Sequence, residues 1–173
     1  MLKMLGKSKS HTARVQNLHQ ALVNRAREPV FFTRFNVADT IDGRFDLLVL
    51  HAFLLLDRLR EAGQGGLAQG LIDTIFLGFD EGLRDLGTGD MGMGRRIKAM
   101  ADAFYGRMQA YGASNDVAAM SDALRRNLYR GAESREAQSE ALAHYVFAAR
   151  DHLARADVGA GMVDFGPLPG AGP

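Results

Sequence analysis

Cysteine is absent from the 173 residues. Disulfides, thiolate metal sites and cysteine nucleophiles are therefore excluded, and a reducing compartment is the natural setting. No apolar core follows the basic start, so the chain does not read as secreted. No apolar run approaches the roughly 20 residues that a membrane-spanning helix needs. Acidic side chains are missing from the first 27 residues, which carry Lys3, Lys7, Lys9, Arg14, Arg25 and Arg27. The remainder holds 15 basic against 20 acidic groups, so a net charge of +1 hides a basic arm on a mildly acidic body. Such an arm is suited to phosphate or an anionic lipid surface. Sequence-specific DNA recognition has no motif here.

The catalytic and cofactor motifs are missing as well. There is no G-K-[ST], no G-x-S-x-G elbow, no H-E-x-x-H and no E-x-x-H. Gly87 to Gly92 does satisfy G-x-G-x-x-G. That fingerprint works where a glycine turn follows a strand, and here a helix precedes it. Asp90 at its end would also repel phosphate. The five histidines form no ligand set: His11/His19 and His144/His152 are each eight apart, too far for one metal on one helix. Glu140 and His144 read as a surface pair, as do Asp80 and Arg84. No catalytic residues, no metal and no cofactor are expected.

What is present is helical periodicity. Hydrophobic residues make up 47% of the chain and charged ones 24%, ordinary values for a globular domain. Between Asp46 and Asp57 all ten residues are apolar except His51. A helix apolar all round belongs at the centre of a core, so Arg44 to Ala62 is expected to be that centre, capped by Asp39 or Asp42. His51 is open to two readings, a hydrogen-bonded core histidine or an axial haem or partner contact. Before the central helix, Val15, Leu18, Leu22 and Ala26 mark a helix from Thr12 to Arg27, with Ser10 or Thr12 as its cap. Glu28-Pro29 ends it. Phe31, Phe32 and Phe35 load the connector 29–43 and should lie on the core as a lid.

Gly63 to Gly66 forms a turn, and the next helix covers Leu67 to Leu86 with an inward seam of Ile72, Phe76, Phe79, Leu83 and Leu86, widened by Leu71 and Ile75. Asp90 is the expected cap of a helix carrying Met93, Ile97, Met100, Phe104, Met108 and Tyr111. Ser114 or Asn115 caps the fifth helix (Val117, Met120, Leu124, Leu128) and Ser134 the last (Leu142, Tyr145, Val146, Ala149, Leu153). The expected architecture is all-α, a single-domain bundle of about six helices around the buried helix 44–62. Residues 1–10 read as a flexible basic arm and 11–157 as the helical domain. The Gly/Pro-rich tail 158–173 reads as disordered unless Met162, Val163 and Phe165 latch onto the surface.

The strongest surface candidate is the start of the fourth long helix, where Asp90, Met91 and Met93 precede Arg95, Arg96 and Lys98. Exposed methionines beside basic groups suit an adaptable apolar client. Tyr105 and Arg107 join this candidate partner-binding set, since tyrosine and arginine are favoured at interface hot spots. Asp102 lies near Lys98 and Tyr105.

In order along the chain, Phe31-Phe32-Thr33-Arg34-Phe35, Asp39-Thr40, the Leu50-His51 step, Gly87 to Gly94 leading into Arg95 to Tyr111, and Leu124 to Gly131 resemble the ubiquinol–cytochrome c chaperone family over roughly residues 31 to 156. The resemblance implies a non-enzymatic assembly factor for ubiquinol–cytochrome c reductase. It also implies newly made cytochrome b or its nascent chain as client, a small partner subunit, and contact with the ribosome. The body starts within about thirty residues, which favours a bacterial member at the cytoplasmic face of the inner membrane; a eukaryotic member would act on the mitochondrial matrix side. The alternative is a helical binder of a small hydrophobic ligand (quinone, lipid or haem) around His51.

Overall fold

A computed structural model describes the backbone of residues 2–85, 87 and 89–170, and side chains from residue 9 onward except those of Asp90 and Met91. Leu86 of the expected seam and Thr88 of the glycine motif lie outside the described residues. Among those described the chain is all helical: α1 (Leu2–Ala26), α2 (Pro29–Thr33), α3 (Ile41–Glu61), α4 (Gly65–Asp85), α5 (Asp90–Gly112), α6 (Val117–Asn127) and α7 (Glu136–Arg155), with 3-10 turns at Glu133–Arg135 and Val158–Ala160. Six long helices and one short one match the expected bundle. None is long and apolar enough to cross a membrane.

Helix α3 is the centre because its middle turns are buried on every side. Leu47, Val49, Leu50, Leu54, Leu55 and Leu59 are buried on successive sides of it, and α1, α4, α5 and α7 all pack against it. It begins three residues earlier than expected. The cap is Thr40, whose Oγ1 accepts from the Gly43 N–H at 3.1 Å, and not Asp39, which pairs with Arg44 at 2.7 Å. Gly43 is required there, since a Cβ would sit 1.9 Å from the Ala38 carbonyl oxygen. The other caps move similarly: Gly89 precedes α5 without a side-chain bond, leaving Asp90 as its first helical residue. Asp116, not Ser114 or Asn115, caps α6 through the Ala119 N–H. Ser134 falls inside the 3-10 turn before α7.

The amino terminus departs from expectation, and the tail takes the latched alternative. Helix α1 reaches back to Leu2 instead of starting near Thr12; the leucines, lysines and methionine of this stretch are good helix formers, with Gly6 the weakest position. The tail through Gly170 packs on the body rather than being disordered. Phe165 takes the latch expected of it and is buried, Val163 is half-buried, and Met162 stays in solvent. Cations hold the tail by its backbone: Arg14 donates to the Gly159 carbonyl at 2.9 Å, and Arg25 and Arg34 donate to those of Gly166 and Gly170. A glycine- and proline-rich segment leaves carbonyls unpaired, and α1 and the connector supply arginines to satisfy them. Two charges of the basic amino-terminal region are thus turned inward.

Candidate functional site

His51 sits at the middle of α3, fully buried. Its Nδ1 lies 2.8 Å from the Leu47 carbonyl and its Nε2 2.9 Å from the Tyr145 hydroxyl. A carbonyl only accepts, so Nδ1 carries the proton and the bare Nε2 accepts from Tyr145. Phe31 and Phe165 meet the imidazole edge-on at 5.1 and 5.6 Å. Burial lowers its pKa to about 4, aided by the Arg25 charge and opposed by the Leu47 hydrogen bond. The ring is neutral, satisfied on both nitrogens and enclosed by α2, α7 and the tail. It is the hydrogen-bonded core histidine, and Phe31 and Phe165 close on it.

One turn before His51, Asp46 is buried between two arginines. Arg107 of α5 approaches Oδ1 at 2.8 Å and Arg130, after α6, approaches Oδ2 at 3.0 Å. Arg107 also lies over the Phe45 ring and donates to the Ala103 carbonyl. Burial nevertheless raises the Asp46 pKa to about 6, with Arg107 and Arg130 pulling it down and Asp42 adding to the rise. Desolvation outweighs both ion pairs. Arg130 adopts φ +57°, a strained left-handed conformation for a non-glycine residue. This triad fastens α3 to α5 and to the α6–α7 connection.

The open apolar surface lies on α4 and α5. The buried edge of α4 is Leu67, Leu71 and Ile75, whereas Ile72, Phe76, Phe79 and Leu83 are only partly covered. The expected seam therefore faces the core, with Leu71 and Ile75 fully buried and Ile72, Phe76 and Phe79 packed against it in part. Leu77 is 58% exposed and Tyr105 of α5 is 53% exposed. Tyr105 stacks on Phe76 with ring centroids 6.2 Å apart and planes 19° apart, and Phe76 contacts Phe79 and Phe104. Beside it, a groove of about 390 Å³ opens between α1, α3 and α4, with Met100 of α5 also in its wall.

The sequence candidates distribute unevenly around this face. Arg95, Arg96 and Lys98 are exposed on the first turns of α5, and the spacing of Lys98, Asp102 and Tyr105 sets them on one exposed side. Met93 is buried rather than presented to a client. Arg107 is turned into the Asp46 triad, its side chain 13% exposed. The side chains of Asp90 and Met91 lie outside the described residues. Leu77, Phe76 and the groove were missed; the signal for them was the width of the apolar stripe on α4, which exceeds one packing face. Among the described residues no cluster of three or more histidines and carboxylates could hold a metal ion.

Comparison with known proteins agrees with this architecture. The family model described as Ubiquinol-cytochrome C chaperone matches residues 33–160. Among solved structures, the crystal structure of the Cbp3 homolog from Brucella abortus is similar, with 37% sequence identity and a TM-score of 0.83, covering 95% of this chain and 98% of that one. No curated protein matches the sequence. The matched span runs from the phenylalanine-rich turn through the central helix, both buried polar centres and the apolar face to the start of the tail, and on that match this chain belongs to the ubiquinol–cytochrome c chaperone family.

Proposed function

We propose that the protein holds newly made cytochrome b on the α4–α5 face, without catalysis, while ubiquinol–cytochrome c reductase is assembled. The observation that carries this reading is the exposed apolar side chains of α4 and α5, Leu77 and the Tyr105 ring stacked on the half-buried Phe76, on a domain whose own core is closed. Large apolar side chains left in solvent beside polar groups mark an interaction site. The rim of Arg95, Arg96 and Lys98 gives this face a positive border that steers the client and any anionic surface beside it. A small partner subunit belongs to the same reading. So does peripheral attachment, through the basic start of α1, to the ribosome or to the cytoplasmic face of the inner membrane. Lys3, Lys7 and Lys9 carry that contact, since Arg14 and Arg25 are occupied by the tail.

The test is capture of the chain with cytochrome b as bait. Wild type is retained, and Leu77→Asp with Tyr105→Asp lowers retention at least about tenfold, the scale on which interface anchors act. Both side chains are largely exposed, so the fold is kept. Equal retention of variant and wild type assigns the client to another face.

A further inference from the structure

The groove between α1, α3 and α4 has a chemistry different from the face beside it. Its walls include Val23, Phe45, Leu48, Phe79 and Leu83, and its polar lining is His19, Arg27 and Arg44, with no carboxylate. Arg44 shares its charge with Asp39 outside the groove. Arg27 is exposed and, among the described residues, has no carboxylate within ion-pair distance. Ile41, 64% exposed, extends the apolar wall at the mouth. Gly78 and Gly82 also line it, and a Cβ on either would meet nothing within 4 Å.

The volume limits the occupant. At about 390 Å³ it falls in the range that small apolar ligands fill. An apolar slot with Arg27 and the Asp39-paired Arg44 at its edge, and no carboxylate in its lining, matches an amphiphile with a negative head.

We propose that the α1–α3–α4 groove binds an acyl chain of an anionic membrane lipid, with its phosphate against Arg27 and Arg44. The state of His19 accords with this placement: its pKa is lowered, first by burial and then by the Arg27 charge, so the groove carries positive potential that a phosphate would offset. Lipid capture here would seat the chaperone on the bilayer from which its client cannot be separated. The inference stands apart from cytochrome b binding, and its test contains no client.

The full chain is sedimented with vesicles of phosphatidylcholine containing phosphatidylglycerol, with pure phosphatidylcholine vesicles, and with free palmitate in parallel. Binding to the anionic vesicles is expected, and the groove-filling pair Gly78→Phe and Gly82→Phe lowers it at least about tenfold while removing no charge. Arg27→Gln lowers it about fivefold. In the wild type, the His19 pKa is expected to rise in an NMR titration when the anionic lipid binds. Unchanged binding in the groove-filled variant would assign the attraction to Lys3, Lys7 and Lys9 and overturn the proposal. Equal binding to neutral vesicles, capture of palmitate without vesicles, or an unmoved His19 would overturn it too.

Discussion

Arg107→Met is expected to lower the unfolding free energy by about 3–4 kcal/mol at neutral pH, because it strands a buried carboxylate. The Arg107 guanidinium is the nearer of the two cations facing Asp46, and Arg130 is half in solvent. The loss should depend on pH in a stated direction. The folded pKa of Asp46, about 6, lies above its ordinary value of 3.8. The folded protein therefore keeps a proton that the unfolded chain has released across that window. Its favourable contribution is fully present below pH 3.8 and is lost as pH rises through about 6, a swing of about 3 kcal/mol. In Arg107→Met the carboxyl holds its proton to still higher pH. Variant and wild type then converge near pH 5 and separate by pH 7.5. Urea unfolding at these two values measures it, and an equal deficit at both would mean that Asp46 is not the partner that matters.

His51→Ala is expected to cost about 3–5 kcal/mol. A cavity opens between Phe31, Tyr145 and Phe165, and the buried Tyr145 hydroxyl loses its acceptor. Adding Tyr145→Phe should return about 1–2 kcal/mol, since an apolar ring in an apolar pocket has no group left unpaired. Additive losses in the double variant would refute the hydrogen bond as a source of stability. His51 also has a pH signature opposite to that of Asp46. Its folded pKa, about 4, lies below the ordinary 6.5, so unfolding takes up a proton between those values and stability rises with pH there. The two buried groups oppose each other between about pH 4 and 6. Asp46→Asn should therefore steepen the wild-type acid limb, and urea unfolding across that range reads it.

Much of the bundle was legible because each long helix carries an apolar stripe at helical spacing, and α3 carries apolar residues on every side. Val15, Leu18 and Leu22 marked the buried side of α1 correctly for the same reason. Helix α4 was legible only in part because it has two adjoining apolar stripes. Spacing alone does not say which one the bundle covers fully, and the choice is made by α1 and α3, which meet Leu67, Leu71 and Ile75. Arg107 looked like a surface anchor since its partner Asp46 lies on another helix far back in the chain. A still longer stretch of chain, 94 residues, separates His51 from Tyr145, so the satisfied state of His51 could not be read from its apolar neighbours. Composition alone did not decide the tail: glycine and proline argue for disorder until arginines from α1 and the connector are seen to hold its carbonyls.

Deleting the gene and measuring assembled cytochrome bc complex against the other respiratory complexes tests the central claim most directly. A specific fall in the bc complex is expected, restored by the wild-type chain but not by the Leu77→Asp, Tyr105→Asp variant. Normal bc complex without the gene, or full rescue by that variant, would contradict it.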